Sequence, residues 1–149
     1  MRSAIVALAA LASSVSAVGN AIVKNNCPST FYLWSVGGSI GPEVAVAPGK
    51  NYTEVLRRDP TSGGVALKIT RTAGGLFTGA PTQIFSYTLD GAQVWYDLST
   101  VFGEPFAGSH LTVTANGGGT IDWPQGTHPG GSQVKVAPSG SNVVFTACA

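Results

Sequence analysis

Charge is scarce in this chain: aspartate, glutamate, lysine and arginine make up 10% of its 149 residues. Beyond Arg2 they are Lys24, Lys50, Arg57, Arg58, Lys68, Arg71 and Lys135 against Glu43, Glu54, Asp59, Asp90, Asp97, Glu104 and Asp122, seven of each sign. So balanced a surface argues against nucleic acid or an anionic membrane as partner and leaves uncharged ones. There are two cysteines, Cys27 and Cys148, and two histidines, His110 and His128. The absence of CxxC excludes a thiol redox motif and a four-cysteine zinc site. The histidines stand at no ligand spacing, so neither metal nor cofactor is expected. The glycine-rich loops hold no GxGxxG or Walker arrangement, and no serine lies in a nucleophile elbow. The apolar run near the start is too short and too early to be a membrane span, and no other stretch reaches that length.

What is present begins with a leader. Arg2, the apolar stretch Ala4 to Ala12 and the small-x-small pattern Val15-Ser16-Ala17 predict a secretory signal peptide over residues 1–17, cleaved after Ala17. Residues 18–149 would then be one secreted, extracellular or wall-associated domain, large enough to bury its own core. In an oxidising compartment Cys27 and Cys148 should pair. A staple closing so long a loop is worth about 5 kcal/mol in the chain-entropy model. Asn51-Tyr52-Thr53 follows the turn Pro48-Gly49 and matches an N-glycosylation sequon. It is either an acceptor or an unmodified strand start.

The rest of the chain reads as short strands. Val65, Leu67 and Ile69 alternate with Ala66, Lys68 and Thr70. Phe85, Tyr87 and Leu89 alternate with Ser86 and Thr88. Asp90-Gly91 marks a turn, and Val94, Tyr96 and Leu98 then alternate with Gln93, Trp95 and Asp97. That hairpin has one apolar face and one mixed face, with Trp95 and Asp97 on the mixed side. Further strands are read at 21–24, 31–36, 111–115, 121–123, 134–136 and 143–146, with Tyr52 to Leu56 a tenth candidate, while Val44 and Val46 precede the Pro48-Gly49 turn. The chain thus has nine or ten strands and no convincing helix, an all-β sandwich or flattened barrel.

Glycoside hydrolysis needs two carboxyl groups, roughly 5 Å apart for retention or about 6.5–9.5 Å for inversion. Asp97 and Glu104 are the candidate catalytic pair. The alternative has Asp97 bracing the following loop and Glu104 solvated. Trp95 with Asp97, and Asp122 with Trp123, are candidate carbohydrate contacts, an aromatic platform beside an acid. Trp123 is read equally as core. Arg57-Arg58-Asp59 reads as a solvated strand end with an internal pair.

Several stretches resemble thaumatin-like proteins: Ala21 to Pro28 with Asn25-Asn26-Cys27, Phe85-Ser86, Trp95-Tyr96-Asp97-Leu98-Ser99, Val101-Phe102-Gly103, and Val143 to Thr146 with Cys148. The likeness is nearest to the fungal yeast-phase-specific antigenic thaumatin-like proteins. It extends there through Leu33 to Gly37, Pro48-Gly49 with Tyr52, Arg58-Asp59-Pro60, Lys68-Ile69-Thr70 and Gly131 to Val136. The resemblance implies a thaumatin-like β-sandwich in a small form, without the disulfide-rich second lobe. It implies binding of β-glucan or a host component without catalysis, or weak endo-β-1,3-glucanase action; a small-molecule-binding, cyclase or lyase role in the same cleft is a third alternative that rests on no positive sequence feature. The glutamate that precedes Phe-Ser in larger members falls on Ile84, so the resemblance carries no complete acid pair. The expectation is a secreted, non-catalytic surface protein.

Overall fold

The computed structural model describes residues 17–149 together with Ala4, Ile5, Ala7 and Ala9. Most of the expected leader, residues 1–17, lies outside the described residues. Among the described residues eleven strands form two sheets. The six-stranded sheet is fully antiparallel. Its members are β2 (Phe31–Val36), β3 (Val44–Val46), β5 (Val65–Thr70), β6 (Thr82–Asp90), β7 (Gln93–Val101) and β10 (Lys135–Pro138), in the order β10-β7-β6-β5-β2-β3. The five-stranded sheet runs β4-β1-β11-β8-β9. It contains β1 (Asn20–Asn25), β4 (Asn51–Val55), β8 (Leu111–Ala115), β9 (Ile121–Trp123) and β11 (Val143–Ala147). Here β1 and β11 run parallel, and the other pairs are antiparallel.

The core lies between the sheets because alternate residues of each strand point inward. Leu67 and Ile69 of β5, Phe85 and Tyr87 of β6, and Val94, Tyr96 and Leu98 of β7 are buried from one side. Val23, Leu111, Val113, Val143 and Phe145 meet them from the other. Phe85 stacks on Phe145 at 5.9 Å across the interface. Phe106, from the loop after β7, packs edge-on against Phe31 at 5.8 Å. Gly126 lets the loop after β9 close over this corner: its φ is +68°, and a Cβ would lie 1.9 Å from the Phe106 carbonyl. The Cys27–Cys148 disulfide joins the ends of the neighbouring strands β1 and β11.

Two details differ from the sequence reading. A single helical turn, α1 (Gly75–Thr78), bridges β5 and β6. Its Phe77 packs edge-on over Trp34 at 6.3 Å, which buries Trp34 although it sits on the outer side of β2. The sandwich also has eleven strands rather than nine or ten. Among the described residues no helix is long and apolar enough to cross a membrane.

Candidate functional site

The β6–β7 hairpin closes through the two-residue loop Gly91-Ala92, with Gly91 at φ +58°. Register then fixes the chemistry. Ser86 lies opposite Asp97, and Thr88 lies opposite Trp95. Since Phe85, Tyr87, Val94, Tyr96 and Leu98 fill the core, Ser86, Thr88, Trp95 and Asp97 all stand on the outer face. Next door, Ala66 of β5 is opposite Ser86, and Val36 of β2 is opposite Ala66. Small side chains therefore floor a shallow trough across the strands. Ser86, Tyr87 and Thr88 are shared by two adjoining depressions, one walled by Trp95, Asp97 and Val134, the other reaching Lys68 and Ser62. The first has a volume of about 140 Å³. Clefts that enclose small ligands typically measure roughly 300–1,000 Å³. This face offers an open surface to an extended ligand and does not engulf one.

Trp95 is 41% exposed, unusual for a tryptophan in the middle of a sheet. Among the described residues Asp97 joins none of the ion pairs, which involve Glu54, Asp59 and Asp122. It does not brace the loop after β7, so its carboxylate remains available on the face.

The four sequence-predicted carbohydrate contacts do not form one site. Trp123 points inward from β9 and is fully buried, with its Nε1 donating to Gln133 Oε1 at 3.0 Å. It is core and cannot stack on a sugar. Asp122 is exposed on the outer face of the opposite sheet, where it bonds His110 Nε2. The proposed acid pair separates as well. Four strand residues run from Asp97 to Val101, about 13 Å of β7, before the loop bearing Glu104 begins. Glu104 accepts the His128 backbone N–H at 2.8 Å and does not border the depression beside Asp97. Ile84 occupies the same outer face, between Lys68 and Ser99.

Two polar clusters went unread in the sequence. Asp59 is buried, not solvated. It accepts backbone N–H groups of Ser62, Gly38 and Thr61, and these hold its carboxyl down to about 2. Glu54 of β4 takes hydroxyl donations from Tyr52 at 2.9 Å and from Tyr87, in the other sheet, at 2.7 Å. Burial and the bond to Glu54 push Tyr52 up to about 12 and raise Tyr87 as well. This bond ties the sheets together at one end. Ser86 and Thr88 were also missed as site residues; counting the register back from Asp90-Gly91 finds them.

The family described as "Bys1: Blastomyces yeast-phase-specific protein" matches residues 8–149. An antigenic thaumatin-like protein of Arthroderma benhamiae is 32% identical over 117 residues, 74% of this chain and 58% of that protein. The chain thus spans less than two thirds of that relative's length. The secreted thaumatin-like protein calA of Emericella nidulans is 31% identical over 123 residues, 74% of this chain and 70% of that one. Among solved structures, the protein elicitor MoHrip2 from Magnaporthe oryzae superposes with a TM-score of 0.72 at 26% identity, covering 88% of this chain and 99% of that one. The thaumatin-like xylanase inhibitor TLXI superposes with a TM-score of 0.57 at 12% identity, covering 86% and 98%, a likeness of fold.

Proposed function

Because this chain belongs to the Bys1 family of fungal thaumatin-like proteins and is secreted, we propose that it is a non-catalytic surface or wall-associated protein. Its ligand is an uncharged polysaccharide, β-1,3-glucan first, held on the outer face of the six-stranded sheet. The observation that carries this reading is the exposed Trp95 ring beside the unpaired Asp97, over a floor of Ser86 and Thr88. An aromatic face covers the apolar side of a sugar ring, while a carboxylate and hydroxyls accept and donate to its hydroxyl groups. A host component is the alternative ligand, supported by the likeness to a protein elicitor.

Hydrolysis is the weaker reading. A general acid and its partner carboxylate must differ in protonation at one pH, which two adjacent carboxyls achieve. Asp97 has no such neighbour lining its depression, and Ile84 exchanges no proton. The shallow trough also disfavours an enclosed small-molecule, cyclase or lyase site.

The test pairs sedimentation with insoluble β-1,3-glucan and reducing-end release from soluble glucan between about pH 4 and 7, a span that covers carboxyl titration. Wild type is expected in the pellet, Trp95→Ala and Asp97→Asn largely in the supernatant, and no variant releases reducing ends. Turnover abolished by Asp97→Asn or Glu104→Gln would replace this reading with the glucanase. Wild type left in the supernatant would remove glucan as ligand.

A further inference from the structure

A two-sheet sandwich has four edges, and each is open to pairing with another chain unless something blocks it. Three edges here carry their own block. β3 is three residues long. β9 is also three residues long and presents Asp122. β10 contains Lys135 and Pro138. The fourth edge, β4, has none of these. It runs for five residues, Asn51–Val55, and its outward side chains are Asn51, Thr53 and Val55, all exposed and uncharged. Its one charge, Glu54, turns inward to the two tyrosines. The nearest others, Lys50 and Arg57, lie beyond its ends.

This same strand carries the sequon. Tyr52 points inward, so strand alternation sets the Asn51 amide and the Thr53 hydroxyl on one exposed side, two residues apart. The Pro48-Gly49 turn leads into Asn51, with Gly49 at φ +76°. Asn51 also lies on the sheet opposite the Trp95 trough.

We propose that Asn51 carries an N-linked oligosaccharide, and that this sugar guards the open β4 edge and keeps the secreted protein monomeric. In the transfer, the Asn51 amide nitrogen bonds to the anomeric carbon of an oligosaccharide carried on a lipid pyrophosphate. The bond from that carbon to the pyrophosphate oxygen breaks, the pyrophosphate leaves with the electron pair, and the amide gives up one proton. The sugar then stands over the strand edge and occupies the space a second copy's strand would need. This inference is independent of what the trough binds.

The test secretes the protein from an N-glycosylating eukaryotic host as wild type, Asn51→Gln, Thr53→Ser and Thr53→Val. Wild type and Thr53→Ser, which preserves the sequon, are expected to exceed their polypeptide mass by an oligosaccharide; the other two are not. In analytical ultracentrifugation the wild type stays monomeric with rising concentration. Asn51→Gln and Thr53→Val shift toward twice the monomer mass. A lysine on the edge, in Asn51→Gln with Thr53→Lys, returns the unglycosylated chain to monomer. Wild type at bare polypeptide mass overturns the site. Unglycosylated variants that stay monomeric at their highest soluble concentration, or dimers that ignore the added lysine, overturn the guarding role.

Discussion

The two outer faces of the sandwich are made by the same rule and end differently. Each sheet turns one side to a shared core and the other to water. On the six-stranded sheet, the outward residues at the centre are small, Ser86, Thr88 and Ala66, so Trp95 and Asp97 rise beside a trough. On the five-stranded sheet, Lys24, Thr146, Thr112 and Asp122 follow one another across neighbouring strands. Each face has an acid, but Asp122 is engaged by His110 while Asp97 is left free. Alternation decides which side chains face outward. The side chains beside it decide whether an outward carboxylate is available.

Four perturbations probe that difference. The largest removes the staple of the five-stranded sheet. Replacing Cys27 and Cys148 by serine should cost up to about 5 kcal/mol in denaturant unfolding. Hydrogen exchange should rise first in β1 and β11, with the β6–β7 hairpin protected longer. Equal loss in both sheets would mean that the faces stand and fall as one unit. Next is the bond between the sheets. Glu54→Gln leaves Tyr52 and Tyr87 with a weaker partner and should lower stability by about 1–3 kcal/mol, read as a shift in the denaturation midpoint. Third, Trp95→Ala should weaken glucan binding by about tenfold, about 1.4 kcal/mol, with stability little changed. Thr112→Ala on the other face should leave binding unaltered. Equal losses from the two variants would erase the distinction.

The smallest effect is in acid. The Asp59 carboxyl falls from its ordinary 3.8 to about 2 in the folded protein, first through the Ser62 and Gly38 backbone N–H groups. A depressed carboxyl contributes stability above the unfolded value and loses it as pH falls through the folded one. Between about pH 4 and 2, wild type should therefore lose stability that Asp59→Asn never had, and the two unfolding curves should converge. Parallel curves would show that these N–H donors do not select the charged form.

Much of the scaffold was legible because burial leaves a period-two trace. Val65, Leu67 and Ile69 announce β5, and the Asp90-Gly91 signal places the hairpin that carries Trp95 and Asp97. Faces were harder to read. β9 has three residues, too few for alternation to show which side Trp123 takes; its pairing opposite Leu111 turns it inward. Trp34 is buried on an outer face because a helical turn from elsewhere delivers Phe77 onto it, and no local pattern encodes such a contact. Asp59 looked solvated because its partners, Gly38 above all, are backbone groups distant in sequence. Separation of Asp97 from Glu104 likewise depends on where β7 ends, and sequence boundaries are the least certain feature.

The parallel pairing of β1 with β11 has a consequence for biogenesis. The centre of the five-stranded sheet joins the first strand to the last, a contact of very high sequence separation. Within the six-stranded sheet, β2, β3, β5, β6 and β7 can assemble as the chain emerges, because their partners are near in sequence. β1 must wait, its parallel side unsatisfied, until β11 has been made. Vectorial synthesis therefore delivers β1 well before its parallel partner, and closure of the five-stranded sheet waits for β11. The Cys27 thiol waits equally long for Cys148 and is open throughout to oxidants and to other thiols.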